Sequence, residues 1–237
     1  MAATVQDAIM LFGDSITQMG WSPGGFGARL TDVYCRRFDV LNRGFGGYNT
    51  KWAMPVLERC LEPQQNAPKI RIFVLWLGAN DAAILPSRQH VPLDEYINNI
   101  ESMVRLVRTR DESTKIILVT PPPISEAMWA AQLKENDPAA QLDRKFDTTK
   151  EYAQSVVAVA AKMGVSVVDV WDRIWTAAGA RQEALSQYLS DGLHLTAAGY
   201  AIAYDALMEN IKEEHASLHY EQVNPTFPPW PELGNGV

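Results

Sequence analysis

The sequence predicts an α/β protein: a three-layer αβα sandwich with a five-stranded, mainly parallel sheet. Three observations predict it. Short apolar runs alternate along the chain with longer segments of helical spacing. One run, IRIFVLWL at residues 70–77, is almost wholly apolar, as a strand buried on both faces must be. Polar and glycine-rich clusters follow the runs, which is where open parallel sheets bind their ligands.

The elements follow in order. Residues 8–12 form the first run, which stops at Gly13. The other runs are residues 38–41, 70–77, 115–120 and 165–170. Between them Leu30, Val33 and Tyr34 repeat at i, i+3, i+4, and Tyr96, Ile100, Met103, Val104 and Val107 extend the same pattern. Val156, Val159, Ala160 and Met163 form another apolar stripe that ends at Gly164, a residue suited to a left-handed helix cap. A last helix is expected over residues 197–211, with Thr196 as its N-cap. The tail, EQVNPTFPPWPELGNGV, holds four of the chain's 14 prolines, which suit neither a helix interior nor a central strand. The expected division is one domain over residues 1–220 and an extended arm over 221–237. That arm either covers its own subunit or reaches a second one, lining the pocket of a homodimer.

The 237 residues are 47% apolar and 21% charged, an ordinary globular composition that can build a sizeable core. A net charge of −7 gives no electrostatic reason to expect nucleic acid or an anionic membrane as partner. No run approaches the roughly 18 to 20 apolar residues of a membrane span, so no stable membrane insertion is expected. Residues 1–7 carry no basic residue, so no secretory signal is read there and a cytoplasmic location is expected. Two unpatterned cysteines, Cys35 and Cys60, suggest reduced thiols rather than a disulfide framework or a metal site.

The chemistry-bearing candidates lie in five clusters: GDSIT, NRGFGGYNT, GANDAA, TPPPI and DGLHLT. In the last, Asp191 and His194 are three residues apart, and a turn can bring both to one side. A carboxylate there would fix the imidazole's tautomer, although an Asp-Gly turn leading into a helix explains the same letters. Ser15 is a weak nucleophile without a base, and His194 is the best candidate for one. His90 lies in a polar stretch. His215 and His219 stand at i, i+4 and read as a solvated helix end rather than a metal pair. An oxyanion needs donors: glycines such as Gly46 and Gly47 let a backbone approach closely, and Asn80 offers a side-chain amide. Asn80-Asp81 also suits a helix N-cap, and the glycines a plain turn. The Walker lysine and the G-x-G-x-x-G spacing are absent. No metal or cofactor is expected.

Ser15, Gly47, Asn80 and His194 occur in this order on separate strand-end segments, with Asp191 just before the histidine. In these blocks the chain resembles the SGNH, or GDSL, hydrolase family. FGDSIT matches the first block, NRGFGGYNT the second through Gly47 (Gly46 being the alternative), GAND the third and DGLHLT the last. The resemblance runs from about Ala8 to Ile211, and NRGFGGYNTKWA and GANDAA resemble the isoamyl acetate-hydrolysing esterase branch. It implies a flavodoxin-like SGNH fold and a serine esterase for short-chain carboxylic esters. Ser15 would attack, His194 would carry the proton, Asp191 would orient it, and the Ser15 and Gly47 N–H groups with the Asn80 amide would hold the oxyanion. Activity is then expected to fall in acid, as the imidazole becomes protonated. Thr17 stands where the α/β-hydrolase elbow G-x-S-x-G has its second glycine, so the serine belongs to a different turn.

Large apolar residues near the motifs are the candidate pocket for a small ester: Trp21, Phe26, Tyr48, Trp52, Ile84, Leu85, Ile124 and Leu193. The same catalytic residues would equally serve a lysophospholipase, thioesterase, carbohydrate deacetylase or acyltransferase. A flavodoxin-like module holding a flavin with GDSIT at its phosphate is the alternative of another class, and it leaves Asn80, Asp191 and His194 without a task.

Overall fold

The computed structural model describes residues 6–63 and 67–233. Residues 1–5 of the stretch read as carrying no secretory signal, and the last four of the arm, lie outside the described residues. Chain order is β1 (Ala8–Gly13), α1 (Ser15–Gln18), α2 (Phe26–Val33), β2 (Asp39–Gly44), α3 (Thr50–Cys60), β3 (Ile70–Trp76) and α4 (Leu93–Arg110). It continues with β4 (Lys115–Val119), α5 (Glu126–Asn136), α6 (Phe146–Met163), β5 (Ser166–Val168), α7 (Val170–Ala177) and α8 (Ala197–Glu214).

The five strands form one sheet in the order β2-β1-β3-β4-β5, with every pairing parallel. Residues alternate between two cores, as the two-residue period of a strand requires. Ile9, Leu11, Ile72, Val74 and Ile117 face one side, under α2, α7 and α8. Met10, Phe12, Phe73, Leu75, Ile116 and Leu118 face the other, under α3, α4 and most of α6. Leu11 and Phe12 are both fully buried, so each contributes roughly 1.5–3 kcal/mol of transfer free energy.

The connectivity reverses between β1 and β3: the chain leaves β1 for β2 on one side and returns for β3 on the other. The carboxyl ends of β1 and β3 therefore flank the crevice where such sheets bind ligands.

All five expected strands are present, with β2 displaced toward residue 44. Gly164 adopts φ +60° at the end of α6, and the Thr196 side chain accepts from the Gly199 N–H at the start of α8. Three helices lack a sequence signal. The apolar pattern of α3 is interrupted by Pro55, α5 has no buried residue, and α7 follows β5 so closely that its start merges with the fifth apolar run. The described part of the tail is exposed except for Val223, which packs half-buried against the core, and it ends in a 3-10 turn at Trp230–Glu232. It lies against the region after α2: the Thr226 N–H donates to the Arg36 carbonyl, and the Arg36 guanidinium donates to the Phe227 and Pro228 carbonyls. Among the described residues, no helix is long and apolar enough to cross a membrane.

Candidate active site

β1 delivers Ser15 to the carboxyl edge of the sheet, where it begins α1. Asp14 caps this short helix, its Oδ1 accepting from the Ile16 N–H at 2.9 Å. The Tyr200 hydroxyl of α8 donates to the Ile16 carbonyl at 2.7 Å and ties α1 down. The Ser15 N–H, at the first position of the helix, has no hydrogen-bond partner among the described residues.

The DGLHLT loop folds on itself. Asp191 Oδ1 accepts from the backbone N–H groups of Leu193 and His194, each at 2.8 Å. Its Oδ2 lies 2.6 Å from His194 Nδ1. Gly192 between them has φ +97°, and a Cβ there would lie 2.5 Å from the Trp129 nitrogen, so no other residue fits. Burial alone would raise the Asp191 carboxyl, but hydrogen bonds from His194 and Leu193 outweigh it and hold the group below the ordinary carboxylate range. An ionised carboxylate only accepts, so Nδ1 carries a proton and Nε2 of the neutral ring is free to accept. Nε2 lies 2.9 Å from Ser15 Oγ, completing a Ser–His–Asp line across 179 residues of sequence.

Gly47 has φ +78°, which glycine adopts without strain. The structure separates it from Gly46. The Gly46 N–H is occupied by Gln18 Oε1 at 2.7 Å, whereas that of Gly47 has no partner among the described residues. Asn80 is no helix cap; it sits in a turn closed by the Ala82 N–H to the Gly78 carbonyl, and α4 begins only at Leu93. Asn80 is buried. One hydrogen of its Nδ2 goes to the Tyr48 carbonyl at 2.9 Å, leaving the other.

The pocket expectation needs correction. Phe26, Ile124 and Leu193 belong to the hydrophobic core, and Phe26 packs between Trp76 and Tyr200. Trp21 packs half-buried against that core. Adjacency to a motif in sequence is not adjacency to its reacting face: these side chains point inward from the motif-bearing segments. Tyr48, Trp52, Ile84 and Leu85 remain on the segments that carry Gly47 and Asn80, from half-buried to exposed. His215 and His219 are no solvated helix end either. Both lie beyond α8, His215 bonds Ser166, and His219 is buried beside Tyr220. Among the described residues no group of three or more His, Cys, Asp or Glu is placed to hold a metal ion. A cleft of about 300 Å³ lies toward the opposite, amino edge of the sheet, beside Ile70 and Thr114, away from Ser15.

Four further residues complete the neighbourhood, Asp14 and Asp81 inside the motif blocks and Gln89 and Arg144 outside them. Burial raises Asp14 to about 6, against the pull of the Ile16 N–H and of His194 and Arg144. Burial likewise raises Asp81 to about 7, although its Oδ1 accepts from the Thr50 N–H and hydroxyl. Gln89 and the buried Arg144 lie directly against Asn80. A lone glutamine and a lone arginine, 55 residues apart, have no spacing that a sequence reading can detect.

A parallel αβα sandwich with a hydrogen-bonded Ser–His–Asp line at its carboxyl edge, beside unoccupied N–H donors, is the architecture of an ester hydrolase. Comparison with known proteins agrees. The model of the GDSL-like lipase/acylhydrolase family matches residues 11–202. The isoamyl acetate-hydrolyzing esterase 1 homolog of Bos taurus is 38% identical over 90% of this chain and 84% of its own length. A GDSL esterase/lipase of Arabidopsis thaliana is 36% identical over 93% of this chain and 90% of its own. Among solved structures, a lipase/acylhydrolase from Enterococcus faecalis superposes with a TM-score of 0.64 at 22% identity, over 94% of this chain and 100% of that one. The chain belongs to the GDSL-like lipase/acylhydrolase family, and it is a carboxylic ester hydrolase.

Proposed function

We propose that the protein hydrolyses short-chain carboxylic esters of the acetate type through an acyl-enzyme on Ser15. The observation that carries this reading is the continuous line from Ser15 Oγ to His194 Nε2 at 2.9 Å and from His194 Nδ1 to Asp191 at 2.6 Å. His194 takes the hydroxyl proton as Oγ attacks the ester carbonyl carbon. The carbonyl oxygen becomes an oxyanion, held by the Ser15 and Gly47 N–H groups and the remaining Nδ2 hydrogen of Asn80. The tetrahedral adduct collapses, the C–O bond to the alcohol breaks, and His194 Nε2 returns the proton to the leaving oxygen. Water then attacks the acyl carbon with its proton going to Nε2, and a second collapse frees the acid and restores Ser15. Asp191 holds the ring and balances the imidazolium, without itself taking a proton.

The short-chain part rests on two supports. Tyr48, Trp52, Ile84 and Leu85 give the segments around Gly47 and Asn80 an apolar character. The mammalian relatives are named for hydrolysis of isoamyl acetate, an acetate ester. Residues 1–220 act as one catalytic unit in this reading, and the arm covers its own subunit through its bonds to Arg36 and Arg37. Hydrolysis of p-nitrophenyl esters from acetate to palmitate tests the substrate class: kcat/KM is expected to fall as the acyl chain lengthens, and a preference for palmitate overturns it. A fluorophosphonate is expected to label Ser15 stoichiometrically, and to fail in His194→Ala.

A further inference from the structure

Arg144 is the bulkiest of the fully buried side chains, at 1% exposure. A buried cation is costly to desolvate, by several kcal/mol, unless it is paired and all its donors are used. Here all are used. Nε donates to the Ala79 carbonyl, one terminal nitrogen to the carbonyl and carboxylate of Asp143, and the other to Gln89 Oε1 at 2.7 Å and Asn80 Oδ1 at 3.3 Å. A guanidinium has five N–H donors and no acceptor. Every group facing it must therefore turn an oxygen toward it.

That constraint propagates. With Oε1 held by Arg144, the Gln89 amide turns its nitrogen away, where it donates to the Gly47 carbonyl at 2.9 Å and to Asn80 Oδ1 at 3.1 Å. Asn80 Oδ1 then faces two donors, and its nitrogen must face Tyr48 and the space beyond. An unconstrained asparagine amide has two near-equivalent orientations, and one of them presents an oxygen where negative charge develops. We propose that Arg144 and Gln89 are positioning residues. Together they fix the orientation of the Asn80 amide and pin the residue that supplies the Gly47 N–H, so that donors alone face the oxyanion. This rests on the reading of Asn80 as an oxyanion donor.

Gln89→Glu is the sharpest test: it keeps the shape and an acceptor for Arg144, but has no hydrogen to give Asn80 or Gly47. With p-nitrophenyl acetate, kcat is expected to fall about 10- to 100-fold, less than the loss of a whole donor, while KM stays within about twofold. Gln89→Ala is expected to fall similarly, and circular dichroism checks that both variants fold. In an Asn80→Ala background, Gln89→Glu is expected to cost at most about threefold, because most of its effect runs through an amide no longer there. Full kcat in both folded Gln89 variants overturns the proposal while leaving Asn80 as a donor. So does an equal loss in both backgrounds. Asn80→Ala with unchanged kcat removes the donor reading itself, and the positioning role with it.

Discussion

Two serine–histidine pairs lie at opposite edges of the same sheet. At the carboxyl edge, Ser15 Oγ stands 2.9 Å from His194 Nε2; at the amino edge, Ser166 Oγ stands 3.0 Å from His215 Nε2. By that distance the pairs are equivalent. They differ in everything behind it. Asp191 holds the far nitrogen of His194, whereas among the described residues no side-chain carboxylate is hydrogen-bonded to His215. Ser15 opens a helix with its own N–H unoccupied, next to those of Gly47 and Asn80, whereas Ser166 starts β5 and shares its hydroxyl with the Ile116 carbonyl. Burial and the nearby Lys115 push the His215 imidazole below its ordinary value and outweigh the pull of Glu214, so the imidazolium is disfavoured where His194 has a carboxylate bonded to its ring. A hydrogen bond between serine and histidine is thus common structural material. In the proposed reaction, the acid and the oxyanion donors turn one into a nucleophile.

The comparison breaks most sharply on the serines. Ser15→Ala is expected to lower kcat for p-nitrophenyl acetate by at least about 10,000-fold, and Ser166→Ala to leave it within about twofold. Comparable losses from both would erase the distinction. Next comes the acid. Asp191→Asn keeps an oxygen for the two backbone N–H groups of its loop but destroys the tautomer control, and a loss of about 1,000- to 10,000-fold is expected in steady-state rates.

Smaller effects appear in stability. A carboxyl raised by burial binds its proton more tightly folded than unfolded, so stability declines as pH climbs from the unfolded value near 4 to the folded one. For Asp81 that window runs from about 4 to about 7. Asp81→Asn keeps the bonds from Thr50 and loses the titration. Its melting temperature is expected to match the parent near pH 4 and exceed it by ~5 °C at pH 7. A constant offset across that range would exclude the mechanism. His215 has the opposite sign: its lowered folded value means the unfolded chain gains protons first, so stability is lost as pH drops below about 6.5. His215→Gln is expected to lessen that acid loss slightly in thermal melts.

What was legible in the sequence follows from which forces are local. The central strands β1, β3 and β4 announce themselves because both faces are buried, whereas the edge strands β2 and β5 are only partly so, and α4, α6 and α8 are legible because each has an apolar stripe. α5, with no buried residue, has none to read. Ser15, Asn80, Asp191 and His194 are legible because short turns force them into fixed words. Gly46 and Gly47 could not be separated without Gln18, which reaches across from α1 to occupy one of them. The pocket failed for a related reason: neighbouring residues in the loop before α8 point opposite ways, so Leu193 enters the core while His194, next to it, faces Ser15. Arg144 and Gln89 are pure tertiary information.

The self-contained folding of the DGLHLT loop has a mechanical consequence. Asp191 grips the backbone beneath His194 with one oxygen and the ring with the other, so acid and base move as a single rigid part. The three-residue machine then has only one loose joint, the gap between that part and Ser15. A change anywhere on α8 or α5 that shifts the loop leaves the acid–base coupling intact and alters only the reach to the nucleophile. Drift in this molecule acts like the setting of a single screw.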